Sequence, residues 1–171
     1  RAEEGQDAVF AEIIDVMFNP VVMSKKTNQA AGVDLLLTSA NNYYGGGITQ
    51  QEAQAWYDAH KDTSEQPLWI GLNAKLVKLP NGTIEQRVYK VGGLYSEALE
   101  KVVYWLEKAR DVAENDEQRL VIDKLIDFNR TGDLKTFNEY CIAWVRDLNS
   151  RVDFVNGFTE VYGDPLGITG A

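Results

Sequence analysis

The chain has few of the residues that build covalent or metal-bound sites. It contains one cysteine, Cys141, and one histidine, His60, among 171 residues. A single cysteine excludes an internal disulfide and a cysteine-built metal site. Zinc hydrolase sites need three protein ligands and usually two histidines, so this chain by itself is not predicted to be a zinc enzyme. We expect Cys141 to be a small core residue and His60 to lie half-solvated near a helix end.

Long apolar runs and positive charge are also scarce. No apolar run is long enough to cross a bilayer, and no signal peptide is recognisable. The 17 Lys and Arg residues against 26 Asp and Glu residues give a net charge of -9, which argues against a nucleic-acid footprint. The acidic balance is compatible with an amino-terminated ligand, although acidity also serves solubility alone. We therefore predict neither a nucleic-acid partner nor a membrane partner.

The length and the element pattern predict one α+β domain, or one lobe of a larger enzyme. The chain starts with Arg1 and stops within a loop, so we expect a fragment of a longer protein. As one fragment domain, 1–171, it divides into a mixed α/β portion over 1–95, a helical portion over 96–150, and an active-site strand and turn over 151–171.

The first portion combines helices with a hairpin. Apolar spacing predicts an amphipathic helix over 7–18, followed by a loop over 21–34. Tyr43 to Gly47 fits a flexible turn better than a phosphate loop, because no Walker or dinucleotide spacing is present. Thr49 and Glu52 form a capping box for a helix that runs to about His60. Two β-rich runs around Asn81-Gly82 predict a hairpin over 68–92, and hence a small antiparallel sheet.

The second portion predicts a cluster of three antiparallel helices joined by short loops. Ser96 is expected to cap a helix over 97–114, and Asn115-Asp116 to break that helix and cap a second one over about 117–130, which stops at Gly132. Asp133 caps a third helix over 134–148. The apolar stripes predicted to be buried are Leu99, Val102, Val103, Leu106 and Ala109, then Leu120, Val121, Leu125, Ile126 and Phe128, then Phe137, Tyr140, Cys141, Trp144 and Leu148.

The last portion carries the candidate site. With a period of two, residues 152–162 read as a strand that places Glu160 and Tyr162 on one face, about 7 Å apart. The turn Gly163-Asp164-Pro165 ends this strand. A carboxylate can hold a cation and a phenol can donate to an oxygen, so this side of a cleft is predicted to bind substrate. Two alternatives use the same residues: Glu160 pairs with an arginine while Tyr162 plugs the strand end, or Glu160 and Asp164 form the carboxylate pair of an acidic hydrolase.

Several pieces over roughly 40–167 resemble the dipeptidyl peptidase III family of zinc metallopeptidases. The resemblance is carried by motifs in a fixed order, which are Tyr43-Tyr44-x-Gly before a helix with Glu52-Ala53, the run from Leu99-Glu100-Lys101 to Leu106-Glu107-Lys108-Ala109, Ala143-Trp144-Val145-x-Asp147, and Phe158-x-Glu160-x-Tyr162-x-Asp164-Pro165-Leu166-Gly167. The resemblance implies a two-lobed exopeptidase that releases dipeptides from the amino terminus of short peptides. This chain would be part of the lower, non-zinc lobe.

The resemblance also implies roles and partners. Glu160 would bind the terminal ammonium of an oligopeptide substrate, and Tyr162 would act catalytically by donating a hydrogen bond to the scissile carbonyl. Zinc would belong to the parent enzyme, with its ligands in a lobe absent from this chain, so the fragment alone is expected to be inactive and cofactor-free. The expected compartment is the cytoplasm. The alternative function is a non-enzymatic helical domain that binds other proteins.

Overall fold

The computed structural model describes residues 6–19, 27–68, 70–157 and 163–169. The elements in chain order are α1 Gln6–Phe18, α2 Leu35–Thr38, β1 Tyr44–Gly45, α3 Gln50–His60, β2 Ala74–Lys78, β3 Ile84–Val88, α4 Ser96–Asp111, α5 Asp116–Thr131 and α6 Leu134–Arg146. This mixture of six helices and a small sheet within the described residues confirms the predicted α+β class.

The sheet has the order β1-β2-β3 and is mixed rather than antiparallel. Strands β2 and β3 form the predicted hairpin, with Lys78 opposite Ile84, while β1 pairs in parallel with β2. The prediction of a flexible turn over Tyr43 to Gly47 is therefore wrong at Tyr44 and Gly45. Gly46, at φ 74°, allows the chain after β1 to lie close to β2, since a Cβ at this position would collide with the carbonyl oxygen of Lys78.

The hairpin loop follows the predicted turn chemistry. The N–H of Gly82 donates to the carbonyl of Leu79 at 2.8 Å, and the N–H of Leu79 donates to the carbonyl of Thr83 at 2.8 Å. Pro80 sits at the second position of this turn, where its fixed φ is favourable, and Gly82 adopts φ 85°. The strands are shorter than the predicted span of 68–92, because Leu68 and residues 70–73 precede β2 without strand structure.

The first core cluster lies between the sheet and α3. The predicted capping box is confirmed, since Thr49 and Glu52 satisfy each other's backbone N–H groups. Glu52 also accepts a 2.6 Å hydrogen bond from Lys78 of β2, which lowers the pKa of its carboxyl to about 2. The buried residues of this cluster are Leu36, Tyr43, Tyr44, Ile48, Ala53, Tyr57 and Leu76.

The second core belongs to the three helices, with α5 packed against both α4 and α6. The caps predicted at Asn115 and Asp133 are present, and α5 ends at Gly132 in the left-handed region. The predicted stripes are confirmed at Leu99, Val103, Val121, Leu125, Ile126, Phe128 and Tyr140, with Ile122 as a further buried residue. Ala109, Leu120 and Leu148 are exposed instead, and Cys141 is partly buried against the core.

The start of α4 differs from the prediction. Tyr95, at φ 57°, precedes the helix and provides no side-chain cap. Ser96 is the first helical residue, and its hydroxyl accepts from the N–H of Gly92 and donates to Glu100, both at 2.8 Å. The hydroxyl predicted to cap the helix therefore closes the preceding loop.

Hydrogen bonds join the hairpin to the helical portion. The N–H of Val91 donates to the carbonyl of Asn129 at 2.9 Å, and the amide of Asn73 donates to the carbonyl of Gly132 at 3.0 Å. A Cβ at Gly132 would lie 2.5 Å from the Val88 side chain, so glycine allows close packing here. The division at residue 95 stays a prediction.

Helix α1 forms where the spacing predicts it, but the large apolar side chains described on it are exposed. Their exposed fractions run from 39% at Ile14 to 70% at Phe18. In the part of the chain that the structure describes, no helix is long and apolar enough to span a bilayer.

Candidate functional site

The two predicted site residues, Glu160 and Tyr162, lie outside the described residues, as does the strand predicted for 158–162. Their roles stay predictions. The structure describes the chain on both sides of this stretch, up to Gly157 and again from Gly163. Those two flanks define the candidate site below.

Asp164 organises the flank that follows. Its Oδ1 accepts from the N–H of Leu166 at 3.0 Å, and its Oδ2 accepts from the N–H groups of Ile168 at 2.9 Å and Thr169 at 2.8 Å. The hydroxyl of Thr169 adds a bond to Oδ2 at 2.9 Å. An aspartate before a proline commonly folds the following turn onto its own carboxylate. One side chain thus holds the turn 164–169 together.

Tyr44 connects this turn to the sheet. Its hydroxyl donates to Oδ1 of Asp164 at 2.8 Å, across 120 positions of sequence. Strand β1 places Tyr44 in the first core cluster, where it is 8% exposed. Leu166 and Ile168 of the turn pack against the same cluster. The turn is therefore anchored by one long-range hydrogen bond and by apolar contacts.

A second tyrosine supports the first. The ring of Tyr57 on α3 meets the ring of Tyr44 edge to face, with centroids 6.4 Å apart. Burial raises the pKa of Tyr57 to about 12 and also raises that of Tyr44. Both phenols are neutral at physiological pH, so the hydroxyl of Tyr44 keeps the proton that it donates to Asp164.

Gly71 lets the turn approach α3. Its φ is 79°, a value that side chains rarely adopt, and a Cβ there would collide with Cγ2 of Thr169 and lie 3.4 Å from the hydroxyl of Tyr57. Only glycine satisfies both the backbone angle and the contact.

The preceding flank, residues 151–157, is not the predicted strand in its described part. Glu114, before α5, accepts from the N–H of Arg151 at 3.1 Å and of Val152 at 2.9 Å, and from Nε of Arg151 at 3.0 Å. The carbonyl of Val152 accepts from Gln118 at 2.9 Å. Side chains thus take the backbone groups that a neighbouring strand would use. Phe154 packs on the helical core, while Val152 is 66% exposed.

Asp164 does not fit the role of a catalytic acid or base paired with Glu160. Both of its oxygens accept protein hydrogen bonds, five in all within the described residues. A carboxylate so engaged has little capacity left for a reacting proton. The structure therefore assigns it to shaping the turn.

His60 and Cys141 are not gathered into a reactive cluster. The ring of His60 is exposed, stacks on Trp56 at 4.0 Å, and places Nδ1 2.7 Å from the carbonyl of Trp56. Burial raises the pKa of the Cys141 thiol, which disfavours the reactive thiolate. Among the described residues, no group of three His, Cys, Asp or Glu side chains could hold a metal ion.

A cavity of about 770 Å³ lies between the loop after α3 and α6. Its walls include Asp62, Leu68, Leu72, Lys135 and Phe137. No sequence motif indicated it, because its lining comes from two elements far apart in the chain.

Sequence reasoning also missed the positions that anchor the Asp164 turn. Tyr44 belongs to one of the motifs that resemble the family, but no pattern in the sequence predicts that it contacts residue 164, and Gly71 carries no signal beyond being a glycine. The spacing of apolar residues within one helix or strand shows which face is buried, but it does not show which distant element packs against that face.

The sequence model of peptidase family M49 matches residues 73–171. Dipeptidyl peptidase 3 of Homo sapiens is 33% identical over 78 residues, and that of Rattus norvegicus is 32% identical over 78 residues; each match covers 46% of this chain and 11% of the relative. The protein from Dictyostelium discoideum is 32% identical over 80 residues, 47% of this chain and 12% of the relative.

A solved structure of dipeptidyl-peptidase III from Corallococcus sp. strain EGB has a similar fold. The TM-score is 0.50 at 18% identity, over 71% of this chain and 21% of that one. The aligned part of this chain spans about a tenth of the length of the curated relatives. The resemblance read from the motifs is thereby confirmed.

Proposed function

The chain belongs to peptidase family M49, and we propose that it supplies part of the substrate-binding side of an enzyme that releases dipeptides from peptide amino termini. One observation carries the proposal. The family match over 73–171 includes both predicted site residues and the whole Asp164 turn that follows them. Relatives named dipeptidyl peptidase 3 support the choice of product.

Glu160 and Tyr162 have different roles in this proposal. The carboxylate of Glu160 binds the terminal ammonium of an oligopeptide, a charge-assisted contact that fixes where the chain enters. The phenol of Tyr162 donates to the scissile carbonyl oxygen, where negative charge grows as the carbonyl is attacked. A donor so placed stabilises the transition state more than the bound substrate.

Zinc belongs to the proposed whole enzyme and not to the described part of this chain. The single histidine and the lack of a suitable cluster among the described residues do not fit a zinc site. The ligands are proposed to lie in polypeptide beyond this chain, in the lobe that would be its partner. The isolated chain is then expected to be inactive, and the compartment is expected to be the cytoplasm.

Replacing Tyr162 with Phe in the full-length, zinc-loaded protein tests the catalytic role. We expect kcat to fall by about 100-fold or more, with a much smaller change in KM, because the lost bond acts in the transition state. Products from an unlabelled hexapeptide are identified by mass spectrometry, which separates dipeptide release from removal of single residues.

Two variants complete the experiment. Glu160→Gln should mainly raise KM, and it should do so less for a substrate whose amino terminus is acetylated. Tyr104→Phe, at an exposed tyrosine of α4, is the matched control and should leave kcat as in the wild type. An unchanged kcat in Tyr162→Phe contradicts the proposed role of that phenol.

A second candidate, a non-enzymatic domain that binds protein, is favoured by exposed apolar side chains in the helical portion. Trp105 and Val145 are 67% and 65% exposed, and Leu148 is 85% exposed. Absence of dipeptide release by the full-length, zinc-loaded protein would favour this candidate.

A further inference from the structure

The Asp164 carboxylate is shared between its own turn and a distant element. Within the described residues it accepts five bonds, of which four come from the backbone and hydroxyl of residues 166–169. The fifth comes from the hydroxyl of Tyr44, on strand β1. The four local bonds would hold the turn together wherever it lay, whereas the fifth, together with the apolar contacts of Leu166 and Ile168, ties the turn to the first core cluster.

The Tyr44 hydroxyl is well suited to fix that position. Its side chain is buried between the sheet and α3, with Tyr57 against its ring. A buried side chain in a close-packed core has few alternative rotamers, so its hydroxyl is a rigid donor. Because the acceptor is a carboxylate, the bond is stronger than one between neutral groups.

Asp164 follows Tyr162 by two residues and Glu160 by four. A change in the position of the turn would therefore also change the positions of Tyr162 and Glu160, because only a few backbone bonds separate them from Asp164. Catalytic groups must be held within a fraction of an ångström, and a misplacement of about 1 Å can cost roughly 100-fold in rate.

We infer that Asp164 and Tyr44 are positioning residues, which set the location of Glu160 and Tyr162 by fixing the following turn to strand β1. Neither residue touches substrate in this scheme. The inference rests on the proposed function for the importance of that location, while the anchoring itself is a property of the fold.

The test replaces Tyr44 with Phe in the full-length, zinc-loaded protein, which removes the anchoring hydroxyl and keeps the ring. With a dipeptide joined to a chromogenic amine as substrate, we expect kcat/KM to fall by about tenfold. The assay is run well below the unfolding temperature of each variant, so that both proteins are folded.

Thr169→Val is the matched control, since it also removes one hydroxyl from Asp164 but leaves the bond to Tyr44 intact. Its loss should be clearly smaller than that of Tyr44→Phe. Equal losses would show that removing any hydroxyl from Asp164 has the same effect and that the attachment to β1 has no special role, which overturns the inference.

A double-mutant cycle distinguishes positioning from general destabilisation. If Tyr44 acts through Tyr162, the double variant Tyr44→Phe, Tyr162→Phe should have a kcat/KM only slightly below that of Tyr162→Phe alone. Full additivity of the two effects overturns the inference even if each single variant is impaired.

Hydrogen exchange gives a readout that does not depend on activity. In Tyr44→Phe, the amides of Leu166, Ile168 and Thr169, which donate to Asp164, should exchange faster than in the wild type, while those of α5 keep their rates. Unchanged exchange at these three amides overturns the inference. Faster exchange in a protein that releases no dipeptides would instead retain the anchor and refute the proposed function.

Discussion

Two carboxylates, those of Asp164 and Glu114, each hold a loop that flanks residues 158–162 in the sequence. The surroundings of the two carboxylates differ more than the number of hydrogen bonds that they accept. Asp164 is half-buried, and one of its donors is the buried hydroxyl of Tyr44. The Glu114 side chain is 22% exposed, but its donors are the backbone and guanidinium of exposed residues 151 and 152. Water can replace Glu114 as an acceptor, but it has less access to the donors of Asp164. Burial of the donors therefore decides how much stability is lost when the accepting carboxylate is removed.

Replacing each carboxylate with alanine is the most severe test of this difference. In Asp164→Ala, the Tyr44 hydroxyl and the turn amides lose their acceptor in a poorly hydrated place. We expect the free energy of unfolding to fall by about 3–5 kcal/mol. Glu114→Ala should produce a clearly smaller loss. Urea denaturation of both variants measures the difference.

Asp164→Asn sharpens the result, because it keeps one carbonyl oxygen and places an amide donor against existing donors. Its stability should lie between that of the wild type and that of Asp164→Ala. Losses of equal size in Asp164→Ala and Glu114→Ala would contradict the importance of donor burial.

A glycine pair separates the packing of the Asp164 flank from backbone strain. Gly71 and Gly82 adopt φ 79° and 85°, so alanine imposes a similar backbone penalty at both. At Gly71 the new methyl would also collide with Thr169, whereas nothing lies within 4 Å at Gly82. We expect Gly71→Ala to be less stable than Gly82→Ala by about 1–3 kcal/mol, as measured by urea denaturation.

The same pair also tests the link to the site. If Gly71→Ala displaces the turn, kcat/KM of the full-length, zinc-loaded protein should fall in that variant and not in Gly82→Ala. Equal stability of the two variants would mean that Thr169 moves aside freely, and the close approach would then contribute nothing.

The sequence was most informative where structure is local. The capping box at Thr49 and Glu52, the turn at Asn81-Gly82 and the caps of α5 and α6 all formed as predicted, because each depends on residues within a few positions of one another. The fold class followed from these elements.

Prediction failed where a distant partner decides the outcome. Tyr44 and Gly45 form a strand because β2 lies beside them. Residues 152–157 do not form one, and at Val152 the backbone N–H and carbonyl are taken by Glu114 and Gln118. Ser96 closes a loop instead of capping a helix. The hydrogen bond between Tyr44 and Asp164 joins residues 120 positions apart. The spacing of residues within either segment gives no information about a contact at that separation.

The smallest expected effect concerns the charge on Glu114. Its hydrogen bond from Arg151, with further bonds from Val152 and the Arg151 backbone, lowers the pKa of its carboxyl below the usual range of a glutamate. A depressed pKa stabilises the fold above the unfolded-state pKa, and that contribution is lost as the pH falls through the folded-state pKa. In urea denaturation between about pH 6 and pH 3, the difference in stability between wild type and Glu114→Gln should shrink as the pH falls.

Glutamine at 114 keeps an oxygen for the backbone N–H of Val152, but it removes the charge and places an amide donor opposite the donors of Arg151, so the variant tests the pairing with Arg151. The Arg151 side chain is 89% exposed and that of Glu114 is 22% exposed, and added salt should therefore reduce the difference at neutral pH. Arg151→Gln should reproduce the same pH dependence from the other partner. A difference that stays constant across the acid range would mean that the hydrogen bonds of Glu114, and not its charge, hold this flank, and the contrast with Asp164 would then rest on burial alone.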